Sequence, residues 1–526
     1  MSAQAGAAPA AGWKPKHNPW TVAFVVTMAA FMEILDTTIV NVSLPHIAGS
    51  LSSTYDDSTW TLTAYLVANG IVLTISGWLG KVFGRKRYFL ICITMFTVSS
   101  FLCGMATSLG ELVVFRLMQG FFGGGLQPNQ QSIILDSFPP AKRAAAFGLT
   151  AIAAVVGPVI GPTLGGWITD NFSWRWIFFI NVPFGFLTTV GVMAVVEDPP
   201  WAQKQKAPVD VIGISLITLG FSCLEVMVDR GEDADWFGST FIRIMGVLAF
   251  LGLTGAVFWL LRTDKPAVDL RVFKDRNFAV GTALMGAMGA LLYASAIVVP
   301  QFAQQVMGYT ATLSGLLLSP GGIAVIVLIP FVGKLMTLTS VRNVIAIGFG
   351  LMGLSLFYSA QLLPLLDFRH LMLYRMSQTA CLAFLFVPLS TIAYSTIPER
   401  LNPDASALFS MARNVLGSLA ISGATALLTE RKQAHQAYMV HWMTPFNQPF
   451  NAYQDQVRQA AIARGAPEGL ADSVAQHTLF KEFSRQVAML SYNEVFMILG
   501  IGAFLCVPLC FLLSPLRGDG KAKGAH

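Results

Sequence analysis

The sequence predicts an all-α polytopic membrane protein with 14 transmembrane helices: two six-helix bundles and two helices inserted between them. Three observations predict it. Apolar stretches of about 20 residues, the length that crosses a bilayer, recur along the whole chain. Charged residues make up 12% of 526, half the usual share of a soluble domain, and the mean hydropathy is +0.61. The chain also repeats itself. Phe115-Arg116-Leu117-Met118-Gln119-Gly120, with Pro128 beyond it, is echoed by Tyr374-Arg375-Met376-Ser377-Gln378-Thr379, with Pro388 beyond it.

The first bundle, residues 20–196, takes helices near 20–44, 58–80, 88–106, 110–136, 146–169 and 175–196. The inserted pair, near 209–228 and 240–261, falls in a linker region 197–277. The second bundle, 278–514, takes helices near 278–303, 312–336, 344–366, 370–397, 407–429 and 491–514. A polar stretch, 430–490, separates the last two helices as an external loop that includes helix-like stretches such as Tyr453 to Arg464. The ends, 1–19 and 515–526, are expected to be a disordered segment and a short tail. No cleavable leader is evident in the Ala/Gly/Pro-rich start.

Basic residues fix the expected orientation. Lys81, Arg85, Lys86, Arg87, Lys142, Arg143, Arg262, Lys265, Arg271, Lys274, Arg276, Lys334 and Arg342 fall in loops on one side. The opposite short loops offer only Arg175, Arg230 and Arg369, with Arg243 at a helix edge. Both termini are therefore expected in the cytoplasm, which requires an even number of crossings. This scatter through short loops also argues against a nucleic-acid surface behind the net charge of +6. All six cysteines lie inside apolar stretches, as packing residues, and the histidines have no metal-ligand spacing. There is no phosphate loop for a nucleotide, so no cofactor or metal is expected, and any uphill work must draw on an ion gradient.

Glu33 and Asp36 lie near the middle of the first helix, three residues apart and so on nearly one face. A carboxylate in hydrocarbon costs about 2.5–3.5 kcal/mol on insertion scales. Holding a carboxyl neutral at pH 7 costs about 4 kcal/mol. The two forms compete closely, which suits a group that loads and releases a proton. Arg116, too deep in the fourth helix to be an interfacial anchor, stays charged and can modulate such a carboxylate. A fixed ion pair between the first and fourth helices is the plainer reading. Arg375 and Arg413, at comparable depth in the second half, are assigned structural roles. Pore-lining candidates are Asn41, Tyr65, Asn69, Gln119, Gln127, Tyr293, Gln301, Tyr394 and Asn414, any of which can also simply bridge helices.

The fifth helix carries Gly157, Gly161 and Gly165 at four-residue spacing, with Pro158, Pro162 and Gly166. Such a face permits close helix approach; either it is ordinary packing or it forms a kinked seal between the bundles. Gly77, Lys81, Gly84, Arg85 and Lys86 close the second helix with a basic cluster that either obeys the orientation rule or acts as a latch.

These residues resemble a known group. Leu35-Asp36-Thr37-Thr38-Ile39-Val40-Asn41-Val42, Arg116 to Gly120, Gly157 to Gly166 and Trp176 to Pro183 are similar to motifs of the fourteen-helix drug:proton antiporters of the major facilitator superfamily. Asp229-Arg230-Gly231, Asn277-Phe278, Gly308 to Thr312 and Pro398-Glu399-Arg400 resemble the EmrB type of multidrug efflux permease. The resemblance implies the major facilitator fold and proton-coupled export of amphipathic small molecules across a bacterial inner membrane. It also implies a periplasmic adaptor and an outer-membrane channel as partners, with part of 430–490 or the adjacent helix ends contributing to docking. Glu33 and Glu225 are acids where the family pattern has amides. Rivals are a dedicated exporter of one metabolite, fatty acid or antibiotic, a proton-coupled importer, and a non-transporting membrane sensor or scaffold.

Overall fold

In hydrocarbon every backbone amide needs a partner, and long apolar runs meet that need as helices. The computed structural model describes residues 16–515 apart from 201–208, 233, 362, 364–365, 445, 464 and 466. The expected N-terminal segment and tail lie almost wholly outside the described residues. Within these, every regular element is helical. The first bundle holds α1 (Pro19–Ser50), a short α2 (Tyr55–Ser58), α3 (Trp60–Phe83), α4 (Arg85–Met105), α5 (Leu109–Gly123), α6 (Leu126–Ser137), α7 (Pro140–Asn171), α8 (Trp176–Phe179) and α9 (Asn181–Val195). The inserted pair is α10 (Val211–Arg230) and α11 (Thr240–Arg262). The second bundle holds α12 (Arg276–Gln305), α13 (Ala311–Leu316), α14 (Ser319–Leu338), α15 (Val341–Ser359), α16 (Phe368–Cys381), α17 (Ala383–Ala393), α18 (Asn402–Val440), α19 (Gln448–Ala463) and α20 (Glu468–Cys510).

Prolines decide where crossings break. A proline lacks the N–H that would bond the carbonyl four residues back, and its ring crowds that carbonyl. Pro128 follows Gly124, which separates α5 from α6, by four residues. Pro183 stands in the same relation to Phe179, the last residue of α8, and Pro320 to Leu316, the last of α13. By contrast, α7 runs unbroken through Pro158 and Pro162. Thirteen helices among the described residues are long and apolar enough to cross a membrane. The halves α5 and α6, at 15 and 12 residues, fall short singly, but end to end they supply about 40 Å of helix. The count is consistent with fourteen crossings.

Within 430–490, α19 falls where a helix-like stretch is expected, but the flanks differ from a loop. Helix α18 continues to Val440, and α20 begins at Glu468, so both helices run well beyond the apolar windows that located them. Hydropathy falls there, but the residues are mostly Ala, Leu, Met, Gln, Lys, Arg and Glu, which favour helix in water as well as in lipid. Ala461 of α19 and Ala471, Ala475 and Leu479 of α20 are buried where the helices of this projection meet.

The inserted pair is tightly fastened. Gly220 and Gly252 let α10 and α11 approach so closely that a Cβ on Gly252 would fall 2.7 Å from the Gly220 Cα. Asp210, ahead of α10, accepts from the Gly213 amide (2.9 Å), the Trp259 indole of α11 (2.8 Å) and the Ala267 amide beyond it (3.1 Å). One helix, α10, also touches both bundles: Thr63 of α3 donates to Asp229, and Ser418 of α18 donates to Glu225 at 2.8 Å. Asp210→Ala leaves two buried donors and one half-buried donor without their acceptor and should destabilise the protein by about 1–3 kcal/mol. Thermal unfolding of the purified protein in detergent checks this; an unchanged midpoint would show that the hub is dispensable.

Candidate functional site

Glycines bring the fourth crossing against the second. At Gly120 and Gly124 a Cβ would lie 2.2 Å from the Tyr65 carbonyl oxygen and 2.4 Å from that of Asn69, so α5 can lie directly on α3. That contact delivers Arg116, fully buried, to Asp36 of α1, also fully buried. Arg116 Nη1 donates to Asp36 Oδ2 at 2.5 Å. The other carboxylate oxygen accepts from Gln119 Nε2 at 2.8 Å and Asn181 Nδ2 at 2.7 Å. Arg116 has further partners: Gln119 Oε1 at 2.8 Å, the Thr61 carbonyl at 3.3 Å and the Tyr65 ring face at 4.1 Å. The guanidinium thus has partners besides Asp36. Ser100 braces the site, accepting from Asn181 at 3.0 Å and donating to the Phe178 carbonyl at 2.9 Å.

Glu33, one turn away and also buried, sits differently. Its oxygens accept from Asn69 Nδ2 at 3.1 Å and from Gln127 Nε2, and no cation touches it among the described contacts. Neutralising Glu33 therefore breaks no ion pair, whereas neutralising Asp36 breaks one. Gln127 in turn accepts from Arg413 Nη2 of α18, a bond that crosses from the first bundle to the second.

Two further contacts cross between the bundles toward the Lys/Arg-rich end. Tyr394, at the end of α17, donates to Gln131 of α6 at 2.9 Å and stacks on Phe147 of α7, with centroids 5.7 Å apart. At the end itself Lys81 of α3 pairs with Asp404 of α18. Gly77 allows this approach, because a Cβ there would lie 2.9 Å from the Pro403 carbonyl oxygen. Of the remaining basic-loop residues, Gly84 takes a positive φ of 83° at the turn into α4, and Arg85 pairs with Asp136 of α6. The Lys86 amide donates to Asp198, in the segment after α9, at 2.8 Å, and burial pushes that carboxyl up from its ordinary value.

The glycine face of α7 meets α1, inside the first bundle, and not the opposite bundle. Side chains at 157, 161 and 165 would collide with Ile34, Thr38 and Ile39. Pro158, Gly165 and Gly166 are buried and Pro162 is half-buried on the unbroken helix. The neighbouring Thr163 is what faces the second bundle, against Gly315. A seal between bundles formed by the glycines themselves is therefore corrected to helix packing that holds α1 and its acids in place.

The pore-lining candidates divide. Tyr65, Asn69, Gln119 and Gln127 join the acidic cluster. Tyr293, half-buried, lies with Arg413 on the wall of a mainly apolar cavity, and Asn414 accepts from Arg413 Nε at 3.2 Å. Asn41 is exposed and Gln301 half-buried, and neither joins the described hydrogen-bonded cluster. In the second half, Arg375 repeats the Arg116 geometry with a hydroxyl where the acid would be: it donates to Ser295 at 2.9 Å and Gln378 at 3.2 Å. Asn181, Gln131, Asp404 and Arg413 escaped as site residues. For Asn181 a signal existed, since it sits within the quoted run from Trp176 to Pro183.

The family profile described as Major Facilitator Superfamily matches residues 26–421. The chain is 36% identical over 479 residues to a multidrug export protein EmrB of Haemophilus influenzae, covering 91% of this chain and 92% of that one. It is 32% identical to the fatty acid resistance protein FarB of Neisseria gonorrhoeae, covering 95% and 96%. Among solved structures, the proton:xylose symporter XylE aligns with a TM-score of 0.57 at 12% identity, covering 94% of this chain and 95% of that chain, a likeness of fold. The chain belongs to the major facilitator superfamily, among the EmrB-type multidrug efflux permeases.

Proposed function

We propose that this protein is a proton-coupled antiporter that exports amphipathic toxic compounds across the bacterial inner membrane. The observation that carries the reading is the buried Asp36–Arg116 pair beside a second acid, Glu33, in the middle of a membrane-spanning helix. An intramembrane acid costs folding energy and is kept where ions move. Asp36 is the coupling carboxylate, Arg116 its modulator and Glu33 a second acceptor. Asn69, Gln119, Gln127 and Tyr65 hold the acids, while Tyr293, Tyr394 and Asn414 border the path between bundles. The basic end faces the cytoplasm, as loop charge favours; there Lys81–Asp404 and Tyr394–Gln131 act as the closed latch. The proton gradient drives the cycle, with no cofactor.

A second reading, a dedicated exporter of fatty acids, draws support from the FarB relative and from one cavity. Its walls include Ala154, Val155, Met288, Leu292 and Phe386, with Arg413 as the one charged group. As it stands the cavity has room for little more than a water, so it must widen to admit a fatty acid, whose apolar chain and carboxylate head match the chemistry of the lining.

The helical projection formed by α18, α19 and α20 is proposed to dock a periplasmic adaptor, through which the exporter meets an outer-membrane channel. Its tip leaves Trp442 59% and Phe446 94% exposed, beyond any membrane-length helix.

In proteoliposomes under an imposed pH gradient, Asp36→Asn should reduce uphill transport of tetraphenylphosphonium or dodecanoate to the level of empty vesicles, while binding of the same probe persists. Transport at the wild-type rate would overturn antiport through Asp36, and a scaffold or sensor would show no transport in either form. The preferred probe separates the multidrug from the fatty-acid reading. Deleting 445–480 should abolish efflux in cells yet leave vesicle transport intact; loss of both would count against docking.

A further inference from the structure

Arg413 looks, from sequence, like a second structural arginine. Its partners say otherwise. Arg375, the comparable buried arginine of the second bundle, is satisfied by Ser295 and Gln378 of its own bundle. Arg413 instead extends Nη2 to the Gln127 carboxamide of the first bundle, with Asn414 its described hydrogen-bond partner at home and the Phe386 ring 5.8 Å away. Gln127 is held at both ends. Its Nε2 donates to Glu33 and its Oε1 accepts from Arg413, so an anion and a cation fix one orientation of a single amide. Hydrogen bonds to ionised groups are about twice as strong as neutral ones.

We propose that Arg413 is a positioning residue for proton coupling: through Gln127 it senses the charge on Glu33 and ties the bundles together at mid-membrane only while that charge is present. Protonation of Glu33 turns an acceptor oxygen into an O–H donor, so Gln127 no longer has a fixed orientation and its carbonyl is no longer presented to Arg413. The link across the bundles then loosens, and the contacts nearer the basic end, Gln131–Tyr394 and Lys81–Asp404, lose their mid-membrane support. The proton adds to Glu33 from the aqueous path and leaves by the same carboxyl; Arg413 and Gln127 transfer none. The titratable and charged groups facing Glu33 are Asp36 of its own helix, Tyr65 of α3, Tyr293 of α12 and Arg413 of α18, while Arg116 of α5 faces Asp36 and Tyr65. The described polar neighbours from α6, α7 and α9 are amides and hydroxyls, among them Gln130, Thr150 and Asn181. This inference rests on Glu33 being a proton acceptor, and the test separates the two.

The full chain is spin-labelled at Arg87→Cys and Leu338→Cys, exposed positions at the basic ends of α4 and α14, and reconstituted in nanodiscs. The native cysteines are buried. Inter-label distances are measured by double electron–electron resonance from pH 5 to 9. The expected wild-type result is a short distance at high pH that gives way to a longer one over about two pH units, the span of one titrating group. Glu33→Gln should hold the long population at every pH. Arg413→Gln and the near-isosteric Gln127→Leu should do the same, Arg413→Lys should retain the pH response, and Arg375→Gln should leave the midpoint where it was. If Glu33→Gln responds to pH as wild type does, Glu33 is not the acceptor and the underlying reading fails. If Glu33→Gln loses the response but Arg413→Gln and Gln127→Leu keep it with an unmoved midpoint, the relay is overturned while the acceptor stands.

Discussion

Two carboxylates on one membrane-buried helix set the terms for everything packed around them. An isolated carboxylate would be expelled from hydrocarbon or neutralised there. Here Asp36 is met by a guanidinium and two amides, and Glu33 by two amides. Those five donors come from α3, α5, α6 and α9. To assemble them, α5 must lie on α3, which Gly120 and Gly124 allow. Helix α7 supplies none of the five, and packs on α1 through Gly157, Gly161 and Gly165.

The repeat between the halves makes the same point by omission. Arg375 and Gln378 keep the positions of Arg116 and Gln119, but Ser295 stands where the acid would be. A serine cannot ionise, so in the proposed mechanism the acid beside the repeated Arg/Gln pair belongs to the first bundle. What the second bundle contributes is Arg413, Asp404 and Tyr394, three side chains that reach across to it. In the proposed mechanism, asymmetry of charge on a symmetric frame gives one half the switch and the other half the contacts that it would control.

Much of this was legible in the sequence, because hydropathy and spacing report directly on lipid burial. Apolar runs located the crossings, and Glu33, Asp36 and Arg116 stood out because an ion in such a run is costly. Polar continuation of helices was not legible: the windows that found α18 and α20 ended where hydropathy fell, although the backbone continues to Val440 and back to Glu468. The partner of the glycine face was also hidden, since four-residue spacing shows that some helix approaches closely without saying which one. Arg413 looked equivalent to Arg375 because depth along a helix does not reveal which bundle a side chain faces. Asp404, an acid in the first turn of α18, gained meaning only when the fold set it beside Lys81.

The central claim is that the acids of α1 exchange protons as cargo binds. It is tested most directly by adding tetraphenylphosphonium to the purified, weakly buffered protein and recording the pH of the solution. The account predicts that binding releases protons from the wild type and none from the Glu33→Gln/Asp36→Asn double variant. Equal release from both proteins, at matched probe occupancy, would contradict it.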